Sequence, residues 1–93
     1  MDLKQKPNTK INYTALLTDG VTLGVGKDAG KWFLVVNKND KITTKTFTKV
    51  SRLLRHINRK FDIIPVIFSL DAEITRKTSF DDSIHDVVVF SEV

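Results

Sequence analysis

The sequence contains no cysteine among its 93 residues. A chain without cysteine cannot form disulfides, bind a metal through thiolates or use a cysteine nucleophile. It also lacks any apolar run near the ~20 residues that a membrane-spanning helix requires, and no signal-peptide pattern opens it. These absences exclude thiolate chemistry and disulfide-stapled folds, and they lead us to expect a cytoplasmic protein.

Catalytic and nucleotide-binding patterns are also missing. Two histidines and no arranged Ser/His/Asp set give no basis for an enzyme, so we expect a protein without catalytic residues and without a cofactor. The glycines between Gly24 and Lys31 resemble a phosphate-binding loop, but such a loop must open a helix. Here Trp32 begins a strand pattern, so turn glycines are the better interpretation.

The composition that remains is that of a small globular protein. Apolar residues make up 41% and charged residues 28% of the chain, which is too apolar for intrinsic disorder. Residues 1–10 are polar and are interpreted as a flexible leader. Residues 11–93 are expected to form a single domain.

Period-two alternation predicts the strands. Residues 11–17 and 21–25 alternate on either side of Asp19 and Gly20, which predicts a hairpin whose tight turn uses positive φ at that pair. A second turn is predicted over residues 26–30, followed by a strand at 31–36 that is apolar on both faces, and by a short strand at 41–45. Later strands are predicted at 63–68, where Pro65 favours an edge position, and at 86–90, with a further strand at 72–76.

A helix is predicted from Phe47 to Phe61, because apolar residues recur there at spacings of three and four. Thr46 or Thr48 is the expected N-cap residue, and Lys and Arg gather towards the C-terminal end. The fold class is therefore α+β: a small antiparallel sheet of about five to six strands, partly barrel-like or two-layered, with one amphipathic basic helix in the order β-β-β-β-α-β-(β)-β.

One helix covers only one face of such a sheet. The other face must be covered by closure of the sheet, by a second layer from the first hairpin, or by a partner subunit. Homodimerisation is therefore predicted as one of these three solutions.

Charge is divided between the two parts of the chain. The net charge is +4, but residues 1–61 carry +9 and residues 62–93 carry −5. The basic part is typical of a polyanion-binding protein, and the acidic part can fold back onto it, bind a basic partner or simply face solvent.

The basic residues concentrate in residues 45–61, which hold six Lys or Arg and no acid. On a helical projection the arginines and His56 lie opposite the apolar stripe, where like charges repel by a few tenths of a kcal/mol per pair. We define the basic face as the candidate nucleic-acid-binding set: Lys45, Lys49, Arg52, Arg55, Arg59 and Lys60. A solvated surface is the simplest alternative for these charges, and a protein partner is another.

Aromatic residues and carboxylates supply the remaining candidates. Tyr13, Trp32 and Phe33 can stack on unpaired bases if they are exposed, although their strand patterns favour core packing. The acidic cluster is the alternative, protein-binding set, which can imitate phosphates: Asp71, Glu73, Asp81, Asp82 and Asp86. If residues 81–86 were helical, Asp81, Asp82, His85 and Asp86 would present metal ligands, whereas an aspartate-rich turn is the simpler interpretation and no metal is assigned.

The function that this pattern favours is that of a small non-enzymatic module that binds DNA or RNA through the basic face with little sequence specificity. Its Lys, Asn, Ile and Thr usage and its length resemble small accessory proteins of phages or mobile elements, a resemblance that assigns no residue a role. The alternative is a protein-binding inhibitor or adaptor, for example one that acts on a host enzyme. No membrane partner is expected.

Overall fold

The computed structural model describes residues 11–68, 80–81 and 83–93. The predicted leader at 1–10 and the predicted strand at 72–76 lie outside these residues. The elements follow the order β1 (Tyr13–Leu16), β2 (Thr22–Asp28), β3 (Lys31–Lys38), β4 (Lys41–Phe47), α1 (Val50–Phe61), β5 (Ile64–Val66), β6 (Val87–Val89) and β7 (Ser91–Glu92). The predicted α+β fold, with one helix after four strands, is confirmed.

Strands β1 to β4 and β7 form one antiparallel sheet in the order β4-β3-β2-β1-β7. The two turns that join β2 to β3 and β3 to β4 each contain two residues with positive φ, Ala29-Gly30 and Asn39-Asp40. Such two-residue turns match the twist of paired strands, so they fix the register of the β2–β3–β4 meander. The turn predicted over residues 26–30 is therefore shorter than expected, since β2 continues through Asp28.

The first hairpin closes differently from the prediction. Leu17 N donates to Val21 O at 2.8 Å, which leaves a three-residue loop that ends at Gly20 with φ +84°. Of the predicted Asp19-Gly20 pair, only the glycine has positive φ. A three-residue loop needs a single left-handed residue, and glycine supplies it at no steric cost.

Helix α1 covers one face of the sheet through its apolar stripe. Leu53, Leu54 and Ile57 are almost fully buried together with Leu23 and Leu34 of the sheet. The predicted N-cap at Thr46 or Thr48 is wrong. Lys49 occupies that position with an extended backbone and no side-chain capping bond, because β4 continues to Phe47 and pairs it with Trp32.

The opposite face of the sheet carries a smaller apolar cluster. Val35 follows Leu34 in β3 and therefore points to the other side, where it packs with Ile11 and Ile42. Both faces of β3 are buried, as predicted. The first hairpin belongs to the main sheet and does not form a second layer. Homodimerisation stays a prediction, which light scattering at high concentration tests.

The chain after the helix forms a two-stranded parallel sheet, β5 with β6. Pro65 lies in the middle of β5 and pairs with Val88, so the predicted strand is shorter than residues 63–68 but does include the proline. Phe90 is buried between β6 and β7, and β7 then pairs with β1. Strand β7 was not predicted.

Candidate nucleic-acid interface

Helix α1 presents its cations on the side opposite its buried stripe. Arg52, Arg59 and Lys60 are exposed, and Arg55 is partly buried. The first turn contains no acid, and Arg59 and Lys60 lie in the last turn, where the helix dipole favours positive charge. Lys49 is also exposed, at the N-cap.

Strand β4 adds to the same side of the molecule. Lys45 pairs with Leu34 and Phe47 with Trp32, and both partners contribute to the core beneath α1. Because cross-strand partners share a face, the side chains of Lys45 and Phe47 lie on the helix side of the sheet. Strand β4 is also the edge of the sheet, so nothing in the sheet separates it from solvent on its outer side.

A depression of about 640 Å³ lies between α1 and the end of β4. We call it the α1–β4 groove, and its lining residues are Phe47, Arg52, Arg55, His56, Arg59 and Lys60. The structure thus brings four of the six residues of the basic face around one depression. Lys45 lies beside it, with its Nζ atom 5.6 Å from the centroid of the Phe47 ring. Lys49 does not line it.

A second depression, of about 750 Å³, adjoins the first and shares Lys60 with it. It runs beside β4 and the turn before it, where Lys38, Lys41 and Thr43 form one wall. Asp19 and Asp62 lie at this end. Cations therefore continue along the edge strand beyond the helix, together with the two carboxylates of Asp19 and Asp62.

His56 is held between the helix and the strand. Its ring centroid lies 5.5 Å from that of Phe47, with the rings tilted by 51°. Burial lowers the pKa of His56 below its usual value, and the positive charges of Lys45 and Lys60 lower it further. The sequence favoured a solvent-exposed histidine, whereas His56 is partly buried beside the cations that line the groove.

No ion pair joins the basic face to a carboxylate in the part of the chain that the structure describes. Among the described residues, Asp81 interacts electrostatically with Arg59, and Asn58 positions its backbone. Asn58 is fully buried near the helix end; its Nδ2 donates to Ile63 O at 2.8 Å, and its Oδ1 accepts from Asp81 N at 3.0 Å. The pKa of Asp81 is lowered chiefly by hydrogen bonds from Ser83 and also by Arg59.

Of the acidic cluster, only Asp81 and Asp86 lie within the described residues. Asp71, Glu73 and Asp82 lie outside them. Asp81 accepts from Ser83 N and Ser83 Oγ in a turn, while Asp86 lies beside a different depression, with His85 and Val87. Residues 83–86 are not helical, so the spacing that would bring His85 over Asp81 on a helix is absent. Over residues 11–68, 80–81 and 83–93, no group of three potential metal ligands is found.

None of the aromatic candidates Tyr13, Trp32 and Phe33 lines the groove. Tyr13 and Trp32 pack against the core, as their strand patterns favoured, and Lys27 Nζ lies 5.4 Å from the Trp32 ring. Sequence reasoning missed Phe47 as a groove residue, because the helical spacing assigned it to the apolar stripe of the helix. The strand alternation of Lys45 and Phe47 is the signal that places both on one side.

Comparison with protein-family models, with curated proteins and with solved structures finds no match for this chain. Among the described residues, α1 is the one α-helix and is too short and too polar to cross a bilayer.

Proposed function

We propose that this protein is a non-enzymatic binding module that holds nucleic acid, DNA or RNA, in the α1–β4 groove with little sequence preference. One observation carries the proposal. Four cations, Arg52, Arg55, Arg59 and Lys60, surround one depression, and no carboxylate among the described residues forms an ion pair with them.

Unpaired cations on one helix have a cost that an anionic partner removes. Arg52 and Arg55, like Arg55 and Arg59, stand three or four residues apart, where like charges destabilise a helix by a few tenths of a kcal/mol each. Phosphates neutralise these charges and accept two hydrogen bonds from a guanidinium fork. A bound polyanion would therefore relieve the repulsion between the cations of helix α1.

Binding by charge neutralisation releases counterions and is therefore sensitive to salt. About four phosphate contacts correspond to a slope of log affinity against log salt near −3 to −4. Little sequence preference is expected because contacts to phosphates position a protein on nucleic acid without reading bases.

Fluorescence anisotropy with labelled DNA and RNA across a salt series tests this function. The variant Arg52→Gln/Arg59→Gln is expected to lose about tenfold or more in affinity and to reduce the magnitude of the slope by about 2. The matched control is Thr44→Glu/Thr46→Glu, which lowers the net charge by the same amount on the opposite face of β4, where both threonines are exposed. Equal losses in both double variants would mean that only net charge matters, and the assignment to the groove would be wrong.

A protein-binding inhibitor or adaptor is the second candidate. Leu16 and Val87 are 73% and 58% exposed beside Asp19, Asp62 and Asp86, around one depression on the other side of the helix end. If folded protein binds no DNA or RNA at low salt, the nucleic-acid proposal fails. Loss of a protein partner on changing Asp86→Asn and Val87→Ser, but not Arg52→Gln, would then support the second candidate.

A further inference from the structure

The α1–β4 groove has one aromatic wall among its cations. Phe47 is partly buried, with part of its ring packed against the main core and part lining the depression. The His56 ring lies 5.5 Å from it, centroid to centroid, and Lys45 Nζ lies over the Phe47 ring, 5.6 Å from its centroid. A fixed ring with cations around it is the arrangement that holds an unpaired base between two phosphates.

The position of the Phe47 ring favours single-stranded over double-stranded nucleic acid as the ligand. In a duplex the bases are stacked and paired, so their faces cannot reach a ring that lies between a helix and a strand. A helix that reads a major groove must also protrude into it. Phe47 and Lys45 of β4 lie beside the exposed side of α1, so a duplex that approached the helix would also meet the strand.

The groove also has a continuation for a flexible backbone. The second depression shares Lys60 with the first and extends the line of cations to Lys41 and Lys38, although Asp19 and Asp62 also line it. A single strand can follow this bent path along the edge strand, since its backbone rotates freely between unstacked bases. The path thus offers phosphate contacts on both sides of the ring: Arg52, Arg59 and Lys60 on the helix, and Lys45 and Lys41 on strand β4.

We infer that the α1–β4 groove binds single-stranded nucleic acid, with one unstacked base against Phe47 and the flanking phosphates on the helix and strand cations. This inference rests on the proposed function and narrows its ligand from nucleic acid in general to single strands. The base contact supplies affinity without sequence choice, because every base has a face that can stack.

The experiment compares four ligands at one salt concentration: single-stranded DNA, single-stranded RNA, a DNA duplex and heparin, a polyanion without bases. We expect single strands to bind at least about tenfold more tightly than the duplex, as expected when a stacked base adds to shared phosphate contacts. Phe47→Leu should weaken binding to single strands by about 5- to 150-fold and leave binding to heparin unchanged. Phe47→Trp, which keeps a ring, should restore tight binding.

A second measurement requires no variant. An oligonucleotide that carries 2-aminopurine should lose fluorescence when the unmodified protein binds it, because the base stacks on a ring.

The outcomes separate this inference from the broader proposal. Equal affinity for single strands and duplex, or a Phe47→Leu variant that loses heparin and single strands alike, would overturn the single-strand inference while nucleic-acid binding stands. Absence of binding to every one of the four ligands by folded protein would overturn both. If heparin and single strands bind with equal affinity and 2-aminopurine is not quenched, the groove binds polyanions in general and the single-strand inference is wrong.

Discussion

The two sides of helix α1 differ in almost every physical property. On one side, Leu53 and Ile57 have no exposed surface and join the core. On the other, Arg52 and Arg59 are exposed, and no acid interrupts them. The buried side of the helix thus contributes to stability, and we propose that the exposed side contributes to nucleic-acid binding. A single substitution on one side should therefore change stability or affinity, but not both.

The largest effect is expected on the buried side. Leu53→Ala should lower the free energy of unfolding by about 2–5 kcal/mol, because it removes apolar contacts and leaves a cavity in a core that cannot fully collapse. Urea denaturation followed by circular dichroism measures the loss. Arg52→Gln is the control, with stability expected to stay within about 0.5 kcal/mol of the parent protein. A large loss in the control would show that the two sides are not independent.

An intermediate effect is expected at the N-cap residue of α1, which bears on both stability and nucleic-acid binding. Lys49 has the extended backbone of a capping residue but makes no side-chain cap, and its charge opposes the positive end of the helix dipole. Lys49→Asp should raise the free energy of unfolding by about 1 kcal/mol. The same change should weaken nucleic-acid binding, because it replaces a cation of the basic face by an anion.

Thermal melting and anisotropy on the same variant check both halves of this prediction. Lys49→Gln is the matched comparison, since it removes the charge without supplying a good cap. If Lys49→Gln stabilises the protein as much as Lys49→Asp does, the gain comes from removal of the positive charge, and the introduced aspartate does not act as a cap.

The smallest effect is expected from His56, which lies between the two sides. Its pKa is lowered first by burial and then by Lys45 of β4 and by Lys60 of its own helix, and Arg52, Arg55 and Arg59 line the same groove. The unfolded chain therefore takes up the proton more readily than the folded protein. The stability that this group contributes is present above about pH 6.5 and is lost as pH falls through the folded-state pKa.

Bound phosphates would oppose the lysines and raise the pKa of His56, so nucleic-acid affinity should increase as pH falls over the same range. Denaturation and anisotropy between about pH 8 and pH 5.5 measure the two trends. His56→Gln should flatten both of them. An affinity that is independent of pH in the parent protein would place His56 away from the bound phosphates.

The sequence predicted those parts of the fold that depend on local spacing. The 3–4 periodicity of Val50, Leu53, Leu54 and Ile57 predicted α1, and alternation predicted the strands that precede it. The start of the helix was predicted too early, because Phe47 fits the helical stripe as well as a strand. Its cross-strand contact with Trp32 decides between the two, and that contact depends on the register of β3 and β4.

Features that depend on contacts between residues far apart in the sequence were harder to predict. Strand β7 has only Ser91 and Glu92, too short for any pattern, and it exists because β1 offers an unpaired edge. The cations of the candidate site followed from helical projection alone. The Phe47–His56 contact could not be predicted in this way. It depends on how β4 lies relative to α1, and residue spacing within a single element does not report that arrangement.

The tight turns of the β2–β3–β4 meander have a consequence for the order of folding. Its strands are joined by two-residue turns, so each pairing closes a small loop at little entropic cost. Pairing of β1 with β7 joins Tyr13 to Glu92 and must close a far longer loop. We therefore expect substitutions in the meander turns to slow refolding, and substitutions in β7 to act mainly on the unfolding rate.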